Sequence, residues 1–267
     1  VRRPAALFAA AAVALVSSSA SAYRPFDGTD GDTADVGEFE LELGPSHYYR
    51  FGSQNYLIAP ATVLNFGIFG DTELVIDFQD FVALDGPSSP RAVTYAHSFA
   101  VLDTDVFLKH TFRRGVLQGK AGLSIAAEGG PLTPEINGNG RFGASLDVIL
   151  SYRWGWGTLH FNEWEQYTRE AIWDEFSGVI IEGPAGWTVR PVGEMFVERD
   201  GADTQLSGLV GAIWTLDDSL QLDVAVRAAR IRDTPAGEIR LGLTWAIAMW
   251  GKAPDATASR AMRRRFY

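Results

Sequence analysis

The chain holds no cysteine, so neither a disulfide framework nor a thiolate metal site can organise it. It also lacks any apolar run long enough to cross a bilayer as a helix: the longest, Ala5 to Val16, is twelve residues, against the roughly 20 a helix needs. Beyond that run no helical periodicity of normal length appears, which argues against a mixed α/β enzyme fold. The formal charge is −10 with the acids scattered, which argues against a nucleic-acid binder. No Gly-x-Ser-x-Gly nucleophile elbow is present, and the four histidines, His47, His97, His110 and His160, include no pair spaced for one metal site.

What is present is strict two-residue alternation. From Glu238 to Trp250, Ile239, Leu241, Leu243, Trp245, Ile247 and Met249 fall on one face of an extended chain, and Glu238, Arg240, Gly242, Thr244, Ala246 and Ala248 on the other. A soluble strand buries its apolar face in about five or six residues. Six large apolar side chains on one face instead suit a wall about 25 Å tall that meets lipid. A sheet in lipid leaves no edge unpaired, so this last strand is expected to pair with the first.

The same rhythm predicts strands at Gly37–Leu43, Tyr56–Phe66, Glu73–Gln79, Ala100–Phe112, Gln118–Glu128, Phe142–Trp154, Gly157–Thr168, Ile172–Gly183, Thr188–Arg199, Thr204–Thr215, Ser219–Arg230 and Glu238–Met249. Twelve is an even number. The links Gly67–Asp71, Arg113–Leu117, Gly155-Trp156, Pro184–Trp187 and Leu216–Asp218 are tight, and the other set holds the long ones, led by Asp80–Phe99. Short periplasmic turns and longer extracellular loops mark bacterial outer-membrane barrels. The expectation is an all-β, transmembrane, antiparallel up-and-down barrel. Tyr152, Trp154, Trp156, Trp187, Trp214 and Trp250 fall near strand ends on the turn side, where a membrane girdle belongs.

Around the barrel the chain divides into residues 1–22, a signal peptide with Arg2 and Arg3, an apolar core and the Ala20-Ser21-Ala22 cleavage site; residues 23–35, a Gly- and Asp-rich periplasmic lead-in; the barrel at 36–250; and a basic tail at 251–267. Two strands resist a simple reading. In Gly157–Thr168, Leu159 and Phe161 point outward and would carry Glu163 and Glu165 with them, which a bulge near Asn162 would repair. In Thr204–Thr215, Leu206, Val210 and Trp214 compete with Leu209 and Ile213 for the outward face.

The polar face is the candidate site. Its lumen-lining set is Glu38, Glu40, Glu42, Glu73, Asp77, Asp103, Asp105, Lys109, Lys120, Asp147, Arg153, Arg190, Glu194, Arg227 and Arg240. Acids lead early in the chain and arginines follow late, so closure brings opposite charges to the seam. One reading is a charge-selective channel, with cations and neutral polar or aromatic molecules favoured over anions; the other is a lumen filled by its own side chains. His47 and His97 are read as loop residues, and His160 as inward. No catalytic residues, cofactor or metal are expected. The expected partners are outer-membrane lipid, a small-molecule solute and the barrel-assembly machinery. The competing class is a soluble secreted β-sheet binding protein.

The stretches Arg24-Pro25-Phe26-Asp27-Gly28-Thr29-Asp30, Gly37-Glu38-Phe39-Glu40-Leu41-Glu42-Leu43-Gly44-Pro45, Leu57-Ile58-Ala59-Pro60-Ala61, Leu64-Asn65-Phe66-Gly67, Arg153 to Asn162 and Arg190-Pro191-Val192-Gly193-Glu194 together resemble a family of bacterial outer-membrane proteins. That family is labelled as transporters of the meta-cleavage pathway of phenol degradation. The resemblance runs from about Arg24 to Ile247 and implies a barrel that admits small molecules. The tail after Trp250 departs from the family's pattern.

Overall fold

Every second residue of the long alternating runs turns to one side, and the computed structural model closes those runs on themselves. It describes residues 24–86 and 98–250. Within them lie twelve strands: β1 (Glu38–Phe51), β2 (Gln54–Phe69), β3 (Thr72–Ala83), β4 (Phe99–Arg113), β5 (Ser124–Leu132), β6 (Gly143–Trp154), β7 (Gly157–Tyr167), β8 (Trp173–Glu182), β9 (Val189–Asp200), β10 (Asp203–Thr215), β11 (Leu220–Ile231) and β12 (Thr234–Ala248). Each pairs antiparallel with its chain neighbours, and β1 pairs with β12 to complete a closed barrel. The seam register sets Phe39 against Ile247 and Leu41 against Trp245, with a bulge between Leu43 and Ser46. The stretches expected as a signal peptide and a basic tail lie outside the described residues, as do His97 and the centre of the long Asp80–Phe99 link.

Alternation decides the two faces. In β8, Trp173, Glu175, Ser177, Val179 and Ile181 are exposed, while Asp174, Phe176, Gly178, Ile180 and Glu182 are buried. Ile239, Leu241 and Trp245 of β12 are likewise exposed, and Glu238, Arg240 and Thr244 buried. The outer surface is therefore apolar and the interior largely polar, the reverse of a soluble sandwich. Exposed aromatics gather near both rims: Tyr152, Trp156, Trp187, Trp214 and Trp250 at one, Tyr48, Tyr167 and Trp173 at the other.

Several expectations are corrected. No register shift interrupts β7 against β6 or β8, so the bulge at Asn162 does not exist. Asn162 stays buried, Trp164 turns inward to stack 5.0 Å from Phe176, and the Glu165 side chain is exposed on the outer wall. Glu163 meets Ser177 there through a 2.7 Å hydrogen bond. In β10, Leu206, Val210 and Trp214 win the outward face, and Leu209 and Ile213 are buried. Strand β5 starts at Ser124 because Val116–Gln118 form a 3-10 turn instead. The link from β4 to β5 is thus longer than a tight turn. At the opposite rim, three connections are only two residues: Gly52-Ser53, Gly201-Ala202 and Arg232-Asp233. Gly52 and Gly201 sit at φ 58° and 60°, the left-handed region that tight hairpins require.

Candidate functional site

Residues 24–36 form no regular structure, yet they touch inward side chains nearly all the way round the wall. The backbone N–H groups of Asp27 and Gly28 donate to the two carboxylate oxygens of Glu194 on β9, at 2.9 and 2.7 Å. Thr29 N–H donates to Asn162 Oδ1 at 2.7 Å, and Asn162 Nδ2 returns a bond to the Thr29 carbonyl at 2.8 Å. Gly31 N–H donates to Ser151 Oγ on β6, while the Gly31 carbonyl accepts from Thr111 on β4 and from Gln118. Ala34 N–H donates to Glu73 on β3. One short segment can reach β3, β4, β6, β7 and β9 together only by lying across the barrel interior. The stretch expected as a lead-in before the barrel is seated inside it.

Charge fixes the segment at the seam. Arg240 donates to the Pro25 carbonyl at 2.7 Å and to Asp27 at 2.9 Å, and it pairs with Glu238. Arg227 pairs with Glu238 at 3.1 Å and Asp27 at 3.4 Å. Arg24 lies 3.8 Å from Asp223, donates its backbone N–H to Glu42 and contacts the His47 ring. Burial pulls the Arg24 guanidinium below its ordinary range, and Asp223 and Glu42 oppose that shift. Across the barrel, Lys109 is completely buried between Glu73 at 3.5 Å and Asp30 at 3.6 Å. A buried charge without such partners would cost several kcal/mol, so these pairs are what allows charged side chains to be buried there.

The sequence-predicted lumen set divides cleanly. Glu38, Glu40, Glu42, Glu73, Lys109, Asp147, Glu194 and Arg240 are buried. Asp77, Asp103, Asp105, Arg153, Arg190 and Arg227 are partly buried. Lys120 is exposed, because it follows the 3-10 turn and belongs to no strand. The seam also differs in detail. Glu42 stands opposite Thr244, and Arg240 opposite His47, so the acids of β1 and the arginines of β11 and β12 meet through Arg24, Asp27 and Glu238 rather than directly. His47 is a buried strand residue, not a loop residue, since β1 runs on to Phe51.

Sequence reasoning missed the second half of the network. Ser151 Oγ lies 2.8 Å from His160 Nδ1, His160 Nε2 lies 3.0 Å from Glu182, and Arg190 holds Glu182 at 2.6 Å. Nearer the opposite rim, Arg169 joins Asp105 at 2.6 Å and Glu135 at 3.7 Å. Above the seam the interior turns apolar, with Tyr49, Tyr56, Ile58, Ala61 and Ala236 packed together. Between the segment and β1–β5 and β12 remains a cavity of about 220 Å³.

No protein-family model matches the chain. No curated protein matches it either. Among solved structures it is similar in fold to the KdgM porin, at 9% identity over 77% of this chain and 98% of that one, with a TM-score of 0.46. It is also similar to the translocator domain of the autotransporter NalP from Neisseria meningitidis, at 12% identity over 80% and 90% of the two chains and a TM-score of 0.41. The anion-selective porin from Comamonas acidovorans aligns at 8% identity over 78% and 98%, with a TM-score of 0.40.

Proposed function

We propose that the protein is an outer-membrane channel for small polar or aromatic molecules, closed by its own residues 24–36. The observation that carries this reading is the double inversion of the wall: apolar outside, charged inside, with the charged interior occupied by a polar segment rather than by a conventional core. Only a barrel embedded in lipid gains from an apolar exterior of that height. Residues 1–22 would direct export, barrel-assembly machinery would insert the chain, and the interior acids would favour cations and neutral solutes. The phenol-pathway resemblance rests on sequence motifs alone; it names aromatic solutes as the first to try.

The segment is held by hydrogen bonds and ion pairs, which water and ions replace at modest net cost. Such a seat suits a plug that leaves. A second reading, a filled barrel with a structural role, is favoured by the burial of inward side chains, with Glu42, Asn162, His160 and Lys109 all fully buried. Planar-bilayer recording separates the two. Wild-type protein should show rare openings, and Glu194→Ala combined with Asn162→Ala, which strips four hydrogen bonds from the segment, should raise the open fraction at least tenfold. A folded double variant that stays silent supports the filled barrel.

A further inference from the structure

The segment is gripped largely by its main chain. The N–H groups of Arg24, Asp27, Gly28, Thr29, Gly31 and Ala34 donate to side chains of the barrel, and the carbonyls of Pro25, Thr29 and Gly31 accept from others. Glu194 places one carboxylate oxygen on each of two successive N–H groups, those of Asp27 and Gly28. Asn162 accepts from the Thr29 N–H and donates to the Thr29 carbonyl. Those are the two bonds a neighbouring strand would make, and a side-chain amide can make them because it offers a donor and an acceptor together. Every non-proline residue of any peptide carries the same two groups, so this part of the seat does not depend on the segment's side chains.

Side chains are read at fewer places. Gly28 and Gly31 run so close to the wall that an added Cβ would stand 3.1 Å from Asn162 and 3.1 Å from Ser151 respectively, which selects glycine or a small residue at both positions. Arg24 is buried against Asp223 and His47, Asp27 answers Arg227 and Arg240, and Asp30 answers Lys109. We propose that the barrel interior is a binding site for short glycine-containing peptides, and that residues 24–36 occupy it as a tethered pseudo-ligand. A short tether gives the segment an effective concentration in the ~mM range, so a free peptide takes the seat once the segment's own fastening is weakened. This rests on reading the segment as a plug that leaves, and it deepens the channel reading by naming peptides as the class of solute.

The test uses the full chain carrying Asp27→Ala and Asp30→Ala. These loosen the segment while Arg227 and Arg240 keep Glu238 and Lys109 keeps Glu73, and every wall group that meets the main chain is untouched. The probe is a fluorescent peptide with the sequence of residues 24–36, read by anisotropy on the folded barrel in detergent. It should bind, and alanine at its Thr29 and Thr33 positions should change the affinity less than threefold. N-methylation at its Gly28, Thr29 and Gly31 positions keeps every side chain, removes three donors and should weaken binding at least tenfold; N-methylation at Thr33 alone controls for the added bulk. If the double variant fails to fold, the wild-type protein carries the test. Unlabelled peptide at a concentration matching the effective ~mM of the tethered segment should displace it in about half of the molecules and speed proteolysis within residues 24–36 at least tenfold, and the triply N-methylated peptide should not. Equal action of the two peptides, or no binding and no displacement by the unmodified one, overturns the proposal. A loosened barrel that conducts without binding peptide sinks this inference alone, and one that binds peptide without ever conducting sinks the channel reading alone.

Discussion

Arg240, midway along the last strand of the barrel, donates a 2.9 Å hydrogen bond to Asp27, which precedes the first strand. The same guanidinium holds Glu238 and the Pro25 carbonyl, so closing the wall and seating the segment share one residue. Removing one partner of a buried ion pair costs about 3–5 kcal/mol. Arg240→Gln should lose stability in that range, read as denaturant midpoint in lipid vesicles, and should raise channel conductance. Asp27→Asn leaves Arg240 paired to Glu238 and should cost about 1 kcal/mol with a similar gain in conductance. Equal stability losses would mean that the segment, not Glu238, is the main partner of Arg240.

Lys109 poses the same question on the opposite wall. Fully buried between Glu73 and Asp30, it neutralises two inward carboxylates. Lys109→Met should destabilise the barrel by about 3–5 kcal/mol, and adding Glu73→Gln should recover part of that loss. No recovery would show that Asp30 carries the penalty.

The wall was legible where sequence alone controls it. Alternation along the strands depends only on which residues meet lipid, and it yields the strand count and the closure. It failed where a partner decides. The segment at 24–36 has no periodicity of its own because its order comes from Glu194, Asn162, Ser151 and Arg240, spread across four distant strands. It failed differently in β7, where a hydrophobicity argument favoured a bulge. The paired ladder instead runs unbroken with Glu163 and Glu165 outward, and an unbroken ladder outweighs the cost of two acids on the outer wall.

Those two acids make a prediction. Glu165 faces Glu175 directly across the β7–β8 pair, on the outer wall. Like charges opposite one another are destabilising, and an outward acid pays a further cost in lipid, smaller than the ~2–4 kcal/mol of a midplane Lys or Arg. Glu165→Leu should therefore stabilise the protein by about 1 kcal/mol in vesicle unfolding. A loss of stability instead would place this face against something other than lipid.

Ser151, His160 and Glu182 line up as a hydroxyl, an imidazole and a carboxylate. Ser151 is wholly buried and already accepts the Gly31 N–H, so with the segment seated no acyl group can approach it. The chain of bonds is a fastening for the segment. Short-chain p-nitrophenyl esters should not be hydrolysed by wild-type protein, and Ser151→Ala should loosen the segment by about 0.5–1.5 kcal/mol, seen as faster proteolysis within residues 24–36. Hydrolysis that disappears in Ser151→Ala would make the trio an active site.

Asp27 is among the first of the described residues to be synthesised, and its partners Arg227 and Arg240 lie 200 and 213 positions later. Contacts between residues so far apart form only after the intervening loop has closed. The segment can therefore take its seat only once β11 and β12 exist and the first and last strands have met. Occupancy of the interior is a record of assembly order: a barrel whose seam is still open has no place for Asp27, and one whose segment is fastened has finished folding.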